Sequence, residues 1–379
     1  MIYADHAATS PVRREALEAM WPYLTGRFGN PSSHHTVGED AAAGLAAARA
    51  SIAGVLGARA GELVFTGGGT EADNLALKGL ALGRPRGRHL ITSPLEHEAV
   101  LASVDYLARF HGFEVDFLTP DSTGLLSASE LTSLIRPDTT LVSVHYANNE
   151  IGTVQPLAEL AAVTKAAGVP FHTDAVQAAG WLPLNVSALG VDAMSLSGHK
   201  VGAPKGIGLL WVRGRLPLEP VLHGGGQERG RRSGTENVPG AVALAAALAT
   251  AESERVATAA RITELREQFT TEVLHRVPDA QVTGHARLRL PASSSWVFEG
   301  TGGEAVLLEL ERRGVICSSG SACAAGSDEP SPVLTALGIP EELARTAVRF
   351  TFGPETTLEQ VKAMAGAVAD SVEAVRTLA

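Results

Sequence analysis

Cysteine is almost missing from this chain of 379 residues, which holds only Cys317 and Cys323. Two thiols exclude a disulfide framework and point to a reducing compartment, so the expected location is the cytoplasm. With five residues between them and no histidine near, they are also a poor zinc pattern. Basic clusters are lacking as well: the net charge is -10, and Arg229, Arg231 and Arg232 form a short, isolated group. Neither direct nucleic-acid binding nor an anionic membrane surface is expected on that balance. No apolar run approaches the roughly 20 residues of a membrane span. The longest, 241–249, is alanine-rich and reads as a buried helix. The first residues lack the basic and apolar regions of a signal peptide. Internal repeats, low-complexity segments, a Walker loop and a GxGxxG fingerprint are absent too.

What is there suits an α/β protein. Hydrophobic residues make up 45% of the chain, enough for two cores, and 40 glycines punctuate its Val/Ile/Leu runs. Over 62–212 short apolar runs alternate with helical periodicity, which predicts a mostly parallel sheet. Strands are expected at 63–66, 90–92, 115–118, 141–144, 169–173, 193–196 and 208–212, with helices over 71–82, 99–110 and 157–167. Capping boxes are read at Ser127 to Glu130 and at Thr356 to Glu359. A long helix is expected over 241–273, followed by elements at 294–298, 303–313, 315–317 and 347–352. The division follows the change of texture: a large domain over 13–252, and a small α+β domain made of 1–12 and 253–379.

Chemistry gathers where the predicted strands end. Lys200 closes Ser-Gly-His-Lys after the run 191–196, and a lysine at such a turn can hold an aldehyde cofactor as a Schiff base. Asp174 ends Phe171-His-Thr-Asp and can pair with a protonated ring nitrogen. Gly67, Gly68 and Gly69, followed by Thr70, sit between a strand and a helix, where free N–H groups and the dipole favour a phosphate. His97 can lie flat over a ring. Asn148 and Asn149 bring amides to the edge of the sheet where ligands of open α/β folds collect. Cys323 lies in a run of small residues where a thiolate can reach a bound ligand, while Cys317 reads as a packed thiol.

With these residues assembled, the chain resembles the cysteine desulfurases of the NifS/IscS type, in the class V branch of fold-type I pyridoxal phosphate enzymes. The resemblance runs nearly end to end, through Asp5 to Thr9, Gly29 to Ser33, Gly69 to Glu71, Glu96-His97, Asn148 to Gly152, Asp174 to Gln177, Ser197 to Lys200, Pro204 to Gly208, His223 to Gly226, Arg232 to Thr235, Ser318 to Cys323 and Arg349-Phe350. It implies that Lys200 carries pyridoxal 5'-phosphate and then moves protons, that Asp174 holds the pyridine nitrogen, that His97 stacks on the ring and that Gln177 donates toward its phenolic oxygen. Gly69, Thr70, Ser197 and His199 would bind the phosphate, with Thr235 reaching the phosphate of the neighbouring subunit of a homodimer. Asn149 and Arg349 would receive the carboxylate of L-cysteine, a planar fork suiting that group. Cys323 would take the sulfur as a persulfide, releasing L-alanine, and pass it to an acceptor protein such as an iron-sulfur scaffold. No metal is implied in the resting enzyme, although Cys323 is a possible transient [2Fe-2S] ligand.

Some positions depart from the family pattern. Three glycines stand where Ser-Gly-Ala is common, and Ala324 and Ala325 replace hydroxyl residues after the cysteine. Two alternatives keep the fold: an aminotransferase or a selenocysteine or C–S lyase, indifferent to Cys323, and a catalytically silent binding module.

Overall fold

The computed structural model describes residues 1–214, 216–320 and 329–378. After strand β1 (Ile2–Tyr3), helices α1 (Arg14–Thr25) and α2 (Thr36–Leu56) precede the large sheet. Strands and helices then alternate through β2 (Leu63–Thr66), α3 (Gly69–Gly83), β3 (His89–Thr92), α4 (Glu98–His111), β4 (Glu114–Phe117), α5 (Ala128–Leu134) and β5 (Thr139–Ser143). They continue through α6 (Leu157–Ala167), β6 (Phe171–Asp174), α7 (Val186–Leu189), β7 (Ala193–Ser197) and β8 (Gly208–Val212). Helix α8 (Val238–Arg276) leads to β9 (Gln281–Val282), β10 (Ser293–Val297), α9 (Gly303–Arg312), β11 (Val315–Ile316), α10 (Pro332–Ala336), α11 (Glu341–Ala344), β12 (Ala347–Thr351) and α12 (Leu358–Leu378).

Seven strands form one sheet in the order β2-β8-β7-β6-β5-β3-β4. Strand β8 runs antiparallel to both its neighbours and the other pairings are parallel. A parallel sheet must be covered on both faces. Leu45 and Ile52 of α2, Leu160 of α6 and Leu244 of α8 pack with Val142, Phe171 and Met194 on one side. Leu75 of α3 and Val100 and Val104 of α4 pack with Leu90, Leu141 and Leu210 on the other.

A second core lies around the antiparallel sheet β12-β10-β9. There Phe269 of α8 meets Trp296, Phe350 and Phe352 edge-on, with ring centroids 6.2, 5.0 and 5.5 Å apart. The beginning of the chain joins this core: β1 pairs with β11, and Ala4 is buried in the same cluster. Helix α8 spans both cores. Its buried residues from Val238 to Ala251 face the large sheet and those from Ile262 to Val273 face the second core, with the stretch between them solvated.

The helix α8 begins earlier than the periodicity suggests, because the Asn237 side chain accepts the Gly240 N–H at 2.9 Å and Pro239 occupies the first turn. The capping box expected at Thr356 to Glu359 is displaced by one residue. Thr357 Oγ1 accepts the Gln360 N–H at 3.3 Å and Gln360 Oε1 accepts the Thr357 N–H at 3.0 Å. Thr356 Oγ1 is occupied with the Gly353 N–H at 3.0 Å, closing the turn before the helix. The box at Ser127 is half-formed: Ser127 Oγ accepts the Glu130 N–H at 3.4 Å, but the Glu130 carboxylate accepts the Thr119 N–H instead. Among the described residues no helix is long and apolar enough to cross a membrane.

Candidate active site

A cavity of about 890 Å³ opens at the carboxyl ends of the central strands. Adjacent parallel strands β6 and β7 are in register with Asp174 beside Ser195, so the carboxylate ending one and the lysine following the other reach the same space. Lys200 ends a single 3-10 turn, Gly198–Lys200. Its Nζ donates to Ala8 O at 2.8 Å and also to Ala7 O, both on the segment that follows β1. The neighbouring His199 has Nδ1 3.1 Å from Thr9 Oγ1. Burial, followed by the charges of Lys200 and Lys205, lowers its pKa to about 4, so it stands as a neutral ring.

Thr66 to Thr70 turn from β2 into α3. Gly69 is required there, because an added Cβ would lie 2.9 Å from Val176 Cγ2 and 3.2 Å from Ser197 Cβ. Gly208 is required behind it, since a Cβ there would fall 2.5 Å from the Gly68 backbone. The turn therefore lies against the sheet, and Gly69 and Thr70, which open α3, line the cavity.

His97 caps α4, its Nδ1 accepting the Ala99 N–H at 3.0 Å, which leaves the proton on Nε2. Gln177 donates to Ala7 O at 3.1 Å. Asn148 is a turn-former rather than a ligand: Oδ1 accepts the N–H groups of Glu150 and Ile151, and Nδ2 donates to Leu95 O. Asn149, on the same turn, lines the cavity.

Arg349 is 1% exposed. Its Nη2 donates to Asp5 Oδ1 at 2.8 Å and its Nη1 to Asn149 O at 2.8 Å and Gly320 O at 3.2 Å, while Nε is buried without a partner. Glu150, whose pKa burial raises, accepts a hydrogen bond from Ser331 Oγ at 2.5 Å. Residues 320 and 331, on either side of Cys323, are thus both tied to this cavity. Cys323 itself lies outside the described residues. Burial raises the pKa of Cys317, which packs against the second core as an unreactive thiol. Thr235 is exposed on the loop before α8 and does not line the cavity of its own chain.

Behind Asp174 the structure holds a buried set of ionisable groups not anticipated from sequence: Asp73, Glu96, His145 and His172, each no more than 5% exposed. Asp174 Oδ1 accepts the Val176 N–H at 2.8 Å, and burial raises its pKa. Burial, reinforced by the charge of Asp174, raises the Asp73 pKa well above its ordinary value. Burial lowers the His172 pKa to about 3, and this neutral ring is bonded at both nitrogens, to Ser143 Oγ and Ser195 Oγ at 2.9 Å each. Burial opposes the charged form of His145, but the Glu96 carboxylate 2.8 Å from its Nδ1 outweighs that and the net shift is upward. A sequence signal did exist for Asp73: it is a lone acid on the apolar face of α3, between Ala72 and Leu75.

These residues fit pyridoxal phosphate. The glycine turn would seat a phosphate, the buried Asp174 would answer a ring N–H, and Lys200 and the buried Arg349 line the same cavity.

The chain belongs to the aminotransferase class-V family, matching it over residues 2–364. It is 43% identical to the cysteine desulfurase IscS of Dictyoglomus turgidum over 378 residues, covering 100% of this chain and 96% of that protein. A solved NifS-like protein superposes with a TM-score of 0.91 at 35% identity, covering 97% of this chain and 98% of the other. The structure of SspA in complex with cysteine gives a TM-score of 0.81 at 39% identity, over 94% and 100%. The fold is therefore that of the fold-type I pyridoxal phosphate enzymes.

Proposed function

We propose that this protein is a pyridoxal-phosphate-dependent cysteine desulfurase, converting L-cysteine to L-alanine and a persulfide on Cys323. The observation that carries the reading is the convergence of Lys200, Asp174 and Arg349 on one cavity, to whose walls Gly320 and Ser331, on either side of Cys323, are bonded. Bound there, the cofactor supplies an electron sink for the substrate's α-carbon. Lys200 anchors it and later moves the proton at Cα, and Asp174 keeps the proton on the pyridine nitrogen. His97 covers the ring, Gln177 addresses the phenolic oxygen, and Gly69, Thr70, Ser197 and His199 bind the phosphate. Asn149 and Arg349 orient the substrate carboxylate, with Arg349 exchanging part of its present bonding for the new anion. Cys323 Sγ forms an S–S bond to the substrate sulfur as the C–S bond breaks, the electron pair stays with the β-carbon, and a proton completes L-alanine.

The protein works as a homodimer in the cytoplasm, with Thr235 completing the partner's phosphate site. An outward face supports this: Leu17, Trp21, Leu24 and Phe28 are each at least half exposed on and after α1, an unusual apolar patch for a monomer. The small domain, made of 1–12 and 253–379, carries the cysteine segment, and the sulfur passes to an acceptor protein such as an iron-sulfur scaffold. In the test, Cys323→Ala retains the yellow cofactor but forms no alanine or sulfide from cysteine. Undiminished turnover would refute the assignment, and pyruvate or glutamate in place of alanine would favour a lyase or an aminotransferase.

A further inference from the structure

The loop from 221 to 237, between β8 and α8, contains two features that the roles above do not use. Its backbone turns at Glu228 and Arg229 with φ of 50° and 60°, which are the only non-glycine residues with positive φ among those described. Such strain persists only where the surroundings fix it. Here they do: the Glu228 carboxylate, 5% exposed, receives Arg49 Nη2 at 2.5 Å, Arg49 Nη1 at 3.0 Å and the Phe65 N–H at 3.1 Å. Arg49 also donates to Leu63 O at 2.7 Å, so the corner is fastened to β2 just before the glycine turn.

The second feature lies further along the loop. Arg232 Nε donates to Glu71 Oε1 at 2.7 Å and its Nη2 to Oε2 at 3.2 Å. Glu71 Oε2 also accepts the Gly67 N–H at 2.7 Å. The loop is closed on itself by the Ser233 N–H on Leu222 O at 3.1 Å and the Gly234 N–H on Gln227 Oε1 at 2.9 Å. Thr235 comes next. One carboxylate therefore touches both the turn that cradles the phosphate of its own chain and the arm that carries Thr235 outward.

We propose that Glu71 and Arg232 are a positioning pair that couples the two cofactor sites of the dimer. A phosphate seated on the turn 67–70 of one subunit braces, through Glu71 and Arg232, the arm that completes the other subunit's site. This rests on the reading above that the turn binds the phosphate and that Thr235 serves the partner. The Glu228 corner is the fixed end of the arm, and the half-buried Arg232 bridge is the end that responds.

The experiment measures dimer dissociation of the cofactor-free protein by analytical ultracentrifugation, with and without added pyridoxal phosphate, beside the cofactor's binding isotherm followed by absorbance. Because linkage is reciprocal, the wild type is expected to dimerise about tenfold more tightly with the cofactor than without it. In Arg232→Gln the cofactor binds about tenfold more weakly and the tightening falls below about twofold, while Arg232→Lys recovers part of both. Glu71→Gln gives the same loss, and the double variant loses no more than either single one, which a general loosening of the fold would not reproduce. Full tightening in Arg232→Gln, or effects of the two variants that simply add, overturns the coupling alone. A wild type that takes up no pyridoxal phosphate overturns the underlying reading, and this inference with it.

Discussion

Behind the carboxylate that ends β6 stands a second carboxyl group whose pKa burial pushes well above its ordinary value. Asp73 titrates near pH 4 in an unfolded chain and burial raises its pKa in the fold, so above that pH the native state holds more protons than the unfolded one. Stability contributed there is full below the unfolded value and is lost as pH rises. Asp73→Asn should therefore melt higher than the wild type at pH 8 in the cofactor-free state, by about 2 °C, with the difference closing near pH 4. Equal melting at pH 8 would show that the carboxyl group is ionised. His172 has the opposite sign: its pKa is lowered to about 3, so the native state binds fewer protons and stability is lost as pH falls from about 6.5. Denaturant titrations of His172→Asn should show a slope flattened by up to about 1.4 kcal/mol per pH unit in that window. Lys200, Asp174, His97 and Asn149 were legible because each closes or follows an apolar run. His172, inside β6, and His145, just past β5, were not, because an apolar run reports burial and says nothing about which neighbour a polar side chain meets; for Asp73 the signal was its place on the apolar face of α3.

Among the elements, the helix 157–167 coincides with α6 to the residue, since Gly168 in the left-handed conformation stops it sharply. Helices α1 and α2 have no counterpart in the reading from sequence. Helix α2 buries Leu45, Ile52 and Leu56 among Ala41, Gly44 and Ala48, and a Cβ at Gly44 would lie 2.4 Å from the Tyr23 ring, so much of its buried face is small residues that register weakly as hydrophobic. The displaced cap of α12 has a local cause as well, two adjacent threonines offering two registers. Thr357→Ala should reduce stability by about 1 kcal/mol in urea unfolding. Gly69→Ala pushes a methyl group into Val176 and Ser197 and should weaken pyridoxal phosphate binding about tenfold, read by absorbance titration, besides destabilising the cofactor-free protein by about 1 kcal/mol. Unaltered affinity would show that the turn does not carry the phosphate.

On the scale of the whole molecule, α8 is shared by both cores, and Val256 is 72% exposed in the stretch between its two buried faces. Val256→Pro breaks the helix there, at about 3 kcal/mol, and calorimetry should resolve two transitions where the wild type shows one. The first nine residues have a different kind of reach. Ile2 and Ala4 bond to Gly314 and Ile316, the Ala7 N–H to Thr351 Oγ1, and the carbonyls of Ala7 and Ala8 to the amine of Lys200. Residues 2–7 thus find partners on β11 and β12, far along the chain, while Ala7 and Ala8 also meet Lys200 in its middle. A chain ended before β12 would lack Arg349 and the Thr351 partner of Ala7, so the reactive centre closes only once β12 is in place, however early the large sheet folds.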